Sequence, residues 1–354
     1  MQSTSNTTEH LPSSSYVPDS GEAIHVALAL HDPSGNYSQH AGVVMTSIFE
    51  NTKSNVIVHI LHDDTLTEEN RRKFIRTAEK YSQGLELHDI TEYTKHISKD
   101  IVNIIGVTFT VGSLYRIVLQ DIIPLDKVIY LDCDIVVNMD IRKLWEIDTD
   151  GKYIAAVLDE GTYKKHFLSY DGLKCWINGC KASSYINSGV LIMDLKAIRQ
   201  RGDFFADAIQ WLKSHLYSSN YGDQDVYNAL FFGSIKMLDK KFNRQFCRFA
   251  FFDGSDLSDT VIHNIWPKPW NTVSADENCI LYWDMFMRSA WGENLTPRDL
   301  VKILGKISSS SPELHKNLLQ CLLYNFYKGL SILFNWLAAP TMIVKHIYHK
   351  LTRR

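Results

Sequence analysis

Residues 127–137, KVIYLDCDIVV, set two carboxylates, Asp132 and Asp134, inside an apolar, β-branched run. At i and i+2 on a strand the two side chains leave on one face, so both can meet one cation. Hard divalent ions such as Mg²⁺ or Mn²⁺ take oxygen ligands and keep positions open for phosphate oxygens, which suits this pair to a metal–diphosphate complex. Solvated loop acids are the competing reading. Against them stands the cost of burying unpaired carboxylates among apolar neighbours.

Other chemistry-bearing types recur downstream. His263 follows the apolar run TVI, and an imidazole suits Mn²⁺ when an acceptor holds its other ring nitrogen; a surface or satisfied core histidine is the plainer alternative. In YGDQDVYN, Asp223, Gln224 and Asp225 open a short helical run, where an aspartate can equally serve as N-cap. INSGVLIMDL puts Asn187 beside the small residues Ser188 and Gly189 at the start of a strand, a strand-entry turn being the simpler reading.

These residues need elements to hold them. Residues 23–30, AIHVALAL, read as a buried parallel strand that ends in the loop 31–37, and ligands of open α/β sheets sit at such strand ends. Residues 40–51 have helical spacing, 55–62 read as a second strand, and 67–81 form a charged amphipathic helix opened by a TxEE cap. A helix over 112–122 carries Arg116, and the strand 127–137 delivers the two acids to a buried strand end. Residues 153–158 and 184–195 read as strands, 159–183 as an irregular and therefore functional loop, and 203–216 and 223–231 as helices. The alternation predicts one α/β domain with a mostly parallel sheet over residues 23–300.

Composition bounds the rest. A chain of 354 residues with 45% apolar content buries a substantial core. Residues 1–22 hold no Lys or Arg and no apolar centre, so they read as a flexible tail rather than a signal peptide. The six cysteines lack metal-ligand spacing and fit reduced thiols in a cytoplasmic protein. Residues 314–354 carry six Lys or Arg and no acid, against 31 basic and 40 acidic residues elsewhere. An acidic body with a basic end argues against nucleic-acid binding. The segment 312–354 reads as a helical appendage with a wide apolar face, interrupted by Gln320, Asn325, Lys328 and Asn335, suited to lying on an anionic membrane or packing on protein rather than spanning a bilayer.

Taken in order, the loop ending in Asn36 and Tyr37, YLDCDIVV, INSGVLIMDL, YGDQDVYN and HNIWPKPW make the chain resemble glycosyltransferase family 8, the group with glycogenin and bacterial lipopolysaccharide galactosyl- and glucosyltransferases. The resemblance implies a GT-A type, Rossmann-like nucleotide-sugar fold. It also implies a UDP-hexose donor such as UDP-glucose or UDP-galactose, Mn²⁺ (or Mg²⁺), retention of configuration and a glycan or glycoconjugate acceptor. Asp132, Asp134 and His263 then resemble the metal ligands, with Asp132 also able to meet the ribose, and Lys268 the lysine on the diphosphate. Arg116 resembles an arginine bridging sugar and diphosphate, Asn187 a residue bordering the sugar, Asp223 a binder of sugar hydroxyls, and Gln224 the residue beneath the anomeric carbon. Asp32 and Asn36 offer edges to uracil, and Tyr37 a face for stacking. Here HNIWPKPW departs from the family's usual HxxGxxKPW: His263 and Lys268 are one residue closer, and Trp266 stands where a glycine is usual. An altered loop closure or phosphate contact is expected.

Two other classes share single features. A haloacid dehalogenase-like phosphatase would use Asp132 as nucleophile, but it usually has Thr at the position of Val136. A binding module would keep the nucleotide-sugar fold without turnover.

Overall fold

The computed structural model describes residues 23–95, 97, 111–162, 170–215, 219, 221–247, 256–272 and 274–310. The tail 1–22 and the segment 312–354 expected to form the appendage lie outside them.

β1 (Ile24–Leu30), β2 (Val56–His62) and β3 (Gly84–Asp89) alternate with helices α1 (Ser38–Asn51) and α2 (Glu68–Lys80). β1 and β2 are buried nearly throughout, which is why they read as continuous apolar runs. Thr67 caps α2 by accepting from the Asn70 backbone N–H at 3.2 Å. β4 (Lys127–Leu131), β6 (Ile154–Leu158), β7 (Ile186–Asp194) and β8 (Ile235–Met237) complete a seven-stranded sheet in the order β3-β2-β1-β4-β7-β6-β8. Only β7 runs against its neighbours, pairing antiparallel with β4 and β6. β5 (Ile135–Asn138), β9 (Arg244–Cys247) and β10 (Thr260–Trp266) make a second sheet in the order β5-β10-β9. Val26, Leu28 and Leu30 enter one core cluster and Ala27 and Ala29 the other, so β1 is sealed on both faces.

Several expectations change. The strand expected over 127–137 is two strands in two sheets. Asp132 N–H still donates to Gly189 O of the main sheet at 2.9 Å, while Asp134 O already accepts from Asn264 N–H of the second at 3.0 Å. The two acids therefore lie on the crossover between sheets, not on one pleated strand. Between them Cys133 turns into the core, its thiol 3.3 Å from Ala29 O. Arg116 sits on a 3₁₀ segment, Val111–Val118, which passes into a short α-helical turn, Leu119–Ile122. The stretch expected to be irregular contains helix α3 (Tyr170–Ile177), which buries Leu173, Cys175 and Ile177. β3, short and half-polar, was not separated from its surroundings by its sequence. Neither was α4 (Leu195–Arg201), capped by Asp194 just ahead of α5 (Phe204–Ser214). α6 (Asp223–Leu230) follows; α7 (Glu277–Arg288) and α8 (Pro297–Ser310) close the described chain, and the boundary expected at 300 falls inside α8. Among the described residues no helix is long and apolar enough to cross a membrane.

Candidate active site

The chain winds outward from β1 to β3 and then returns to place β4 on the other side of β1. That reversal opens a crevice at the carboxyl ends of β1 and β4, where doubly wound sheets hold their ligands. The loop 31–37 lines one side of it and the Asp132–Asp134 crossover the other.

Asp132, Asp134 and His263 converge there, with possible ligand atoms all within 4.8 Å of one another. His263 Nε2 is 3.1 Å from Asp134 Oδ1 and 4.0 Å from Asp132 Oδ2. The hydrogen bonds behind the imidazole fix its tautomer. Gly189 N–H, which can only donate, meets Asn187 Oδ1 at 3.0 Å, and the Asn243 amide nitrogen donates to that same oxygen at 2.9 Å. Asn243 therefore turns its oxygen to His263 Nδ1, 3.0 Å away, and Nδ1 carries the hydrogen. In the neutral ring Nε2 presents a lone pair to Asp134 Oδ1, which is buried and receives no hydrogen bond. Facing lone pairs at that separation require a positive charge: a proton on Nε2, or a cation shared with Asp132. One nitrogen and two carboxylates, with the imidazole held from behind, fit a divalent ion of the Mn²⁺ or Mg²⁺ kind.

Lys268 Nζ donates to Asp134 Oδ2, so the shortened HNIWPKPW loop still brings its lysine to the cluster, while Trp266 points outward at 53% exposure. Burial pushes the Asp134 carboxyl up, but His263 and Lys268 outweigh it and hold the group well below the usual carboxylate range.

On the other flank the buried Arg116 guanidinium lies between two acids, 2.8 Å from Asp132 Oδ1 and 3.1 Å from Asp223 Oδ2. It also donates to Ser188 O at 2.7 Å and stacks over Tyr130, whose hydroxyl donates to Asp132 Oδ1 at 2.9 Å. One cation thus serves two carboxylates. Asp223 follows the N-cap Gly222 rather than capping α6 itself, and Ser188 Oγ donates to it at 3.2 Å. Burial raises its pKa to about 6, with Arg116 opposing and Asp132 adding to the rise.

A raised folded pKa means that folded Asp223 keeps its proton where the unfolded chain has lost it. Its contribution to stability is therefore greatest below about pH 4 and declines as pH rises to about 6, by about 3 kcal/mol. Urea denaturation of Asp223→Asn beside the parent at several pH values should show the parent losing that amount relative to the variant. A pH-independent difference contradicts the assignment.

Gln224 accepts from Ser188 N–H at 3.1 Å and donates to Asp159 Oδ2 at 3.4 Å. Asn187 donates to the same Asp159 oxygen at 3.2 Å. Both ends of the Asn187 amide are thus engaged within the protein and make it the link between His263 and Asp159, as the Gln224 amide links Ser188 to Asp159. Asp225 accepts from the Tyr185 hydroxyl at 2.6 Å and from Ser219 Oγ at 2.9 Å, a structural use.

Asp32 requires a correction. Its carboxylate is buried and receives Tyr37 N–H, Ser38 N–H, Ser38 Oγ, Ser34 Oγ and Asn70 Nδ2. Those donors outweigh burial and hold it below its ordinary pKa, so it shapes the loop and has no free edge for a base. Asn36 is exposed and Tyr37 half-buried, and these remain open to a ligand. Beneath them His40, stacked 3.7 Å from Trp270 and 2.7 Å from the Tyr282 hydroxyl, is kept neutral by burial, its pKa near 3.

Sequence reasoning missed Asn243, Asp159 and Tyr130. Asn243 and Asp159 act through partners brought near only by folding and stand in no motif that marks them, whereas Tyr130 opens YLDCDIVV and reaches Asp132 two residues on, its aromatic ring reading there as one more apolar strand residue.

Fold and site together define a GT-A type glycosyltransferase. The chain belongs to glycosyl transferase family 8, whose model matches residues 26–273. It is 26% identical over 232 residues to general stress protein A of Bacillus subtilis, covering 63% of this chain and 74% of the relative. It is 28% identical over 213 residues to lipopolysaccharide 1,2-glucosyltransferase of Escherichia coli, covering 59% of each. In fold it is similar to the galactosyltransferase LgtC, solved with donor and acceptor sugar analogues, at TM-score 0.65 and 21% identity over 79% of this chain and all of LgtC. Membership sets aside the phosphatase alternative, in which Asp132 was the nucleophile.

Proposed function

We propose that this chain moves a hexose, glucose or galactose, from its UDP-sugar to a glycan or glycoconjugate acceptor with retention of configuration, using Mn²⁺ or Mg²⁺ held by Asp132, Asp134 and His263. The observation that carries this reading is the lone-pair convergence of those three side chains beside Lys268 at the switch-point crevice. When bound, the ion supplies Lewis-acid stabilisation of the charge on the departing diphosphate. Lys268 adds a fixed positive charge at the same place, and Arg116 extends it toward Asp223. Tyr37 and Asn36 offer the uracil a stacking face and a polar edge.

The chemistry at the sugar follows from how Asp223 and Gln224 are held. An amide is a poor nucleophile, and Asp223 Oδ2 is engaged by both Arg116 and Ser188. This favours a front-face reaction, in which the leaving phosphate takes the acceptor proton, over a glycosyl-enzyme intermediate. Gln224 then positions the sugar from below.

A panel of UDP-hexoses assayed for UDP release with and without Mn²⁺ tests the reading. Metal-independent turnover, or tight UDP binding with no turnover, overturns it. In the same assay Gln224→Ala should lose transfer on the order of 100-fold with UDP affinity nearly unchanged. Collapse of UDP affinity would move the residue to the nucleotide pocket.

The basic, apolar segment 314–354 favours an acceptor held at an anionic membrane surface. A chain truncated after Ser311 should stop sedimenting with anionic vesicles at low salt. Unchanged sedimentation excludes this role for the segment.

A further inference from the structure

β1, β2 and β3 carry a second cluster that shares no residue with the crevice site. His59 on β2 stands in register with Ala27 of β1 and Glu86 of β3, and His88 lies two residues beyond Glu86 on the same face of β3. Three atoms meet there. His59 Nδ1 is 3.1 Å from His88 Nε2 and 3.3 Å from Glu86 Oε2, and His88 Nε2 is 3.5 Å from that same oxygen.

We propose that His59, Glu86 and His88 form a second metal site, for a borderline divalent cation with Zn²⁺ the best fit. Ligands bound to Zn²⁺ at roughly 2.0–2.1 Å in a tetrahedron lie about 3.3–3.4 Å from one another. The three observed separations bracket that edge, so the protein presents one face of the tetrahedron already assembled. The fourth corner is left to solvent, because the Glu86 and His88 side chains are 35% and 18% exposed while His59 is buried. Two imidazoles and a carboxylate select Zn²⁺ over Mg²⁺ or Ca²⁺, and Mn²⁺ binds such donors more weakly, so the two sites differ in the ion they prefer.

The tautomer needed is supported from behind. His59 Nε2 lies 2.9 Å from His25 Nδ1, and with Nε2–H donating to His25 the His59 Nδ1 lone pair is left for the metal. β3 is the outermost strand of the sheet, so the ion ties that edge to β2. The rival explanation is a metal-free ladder of hydrogen-bonded imidazoles.

The full-length chain, stripped with a chelator, is titrated with Co²⁺ and then Zn²⁺. The expected result is the strong visible absorption of four-coordinate Co²⁺, displaced by Zn²⁺, retained in Asp134→Asn and lost in His88→Gln. His59 is buried and its replacement endangers folding, so the tests are His88→Gln and Glu86→Gln at the more exposed positions, with circular dichroism to verify the fold. Each should weaken Zn²⁺ at least 10-fold, and His25→Phe, which removes only the supporting contact, about 10-fold. Mn²⁺-dependent UDP-sugar turnover should be unchanged in His88→Gln. Equal Zn²⁺ stoichiometry and affinity in the folded Glu86→Gln/His88→Gln chain, or no four-coordinate Co²⁺ absorption in the parent, overturns the proposal.

Discussion

Asp134→Asn is expected to lose metal-dependent turnover by about 1,000-fold, equivalent to about 4 kcal/mol of transition-state stabilisation. The substitution keeps the shape of the side chain but removes the negative charge on which the cluster depends. His263 Nε2 then faces a neutral amide, and Lys268 loses its ion pair. Breaking a buried pair by removing one partner costs about 3–5 kcal/mol when the other charge is trapped. Lys268 is not trapped, being 25% exposed, so most of that penalty is relieved by the lysine turning to solvent. The variant should therefore fold, with a modestly lowered melting temperature, and show no measurable Mn²⁺ binding in the crevice by calorimetry. Metal-dependent turnover near the parent rate in a folded Asp134→Asn would remove the crevice from consideration.

Gly189→Ala should be almost as damaging without removing a polar group. A Cβ at this position would stand 2.2 Å from His263 Cε1, 2.8 Å from its Nδ1 and 3.0 Å from Asp132 Oδ2. The imidazole cannot yield easily, because Asn243 holds Nδ1 from behind, and Asn243 is itself anchored on Asn187. The added methyl must displace either the ring or the β7 backbone, and overpacking of this kind costs about 1–3 kcal/mol. Moving His263 by a fraction of an ångström spoils the shared position for a cation, so Mn²⁺ affinity should fall about 100-fold and turnover with it. Calorimetric titration with Mn²⁺ and a thermal melt separate the two effects. Parental Mn²⁺ affinity in the variant would mean that His263 is not a ligand.

Much of this architecture is legible along the chain because its causes are local. β1, β2 and β4 announce themselves as apolar runs since both faces are covered, and α2 declares its start through Thr67 because a cap is satisfied within three residues. The ordered motifs around Asp132, Asn187, Asp223 and His263 likewise specify the family without any knowledge of contacts. β3 was less visible, as its buried Leu85 and its Glu86 and His88 alternate over too few residues to stand out from a loop.

What the sequence by itself determined is the set of chemical types and their order: two acids in an apolar run, a histidine and a lysine near the end, an arginine and an Asp-Gln pair between. Tertiary structure decided their employment. Asp32 and Asp134 are both buried aspartates near strand ends, yet one is saturated by donors from its own loop and the other keeps an oxygen that no hydrogen bond reaches. The tautomer of His263 depends on Asn243 and Asn187, which are separated by 56 residues and meet only where the two sheets abut. The histidines of β1, β2 and β3 become neighbours only through the parallel register of three strands. Hydrogen bonds and ligand geometry act over about 3 Å. Sequence distance carries no information on that scale until the backbone has closed it.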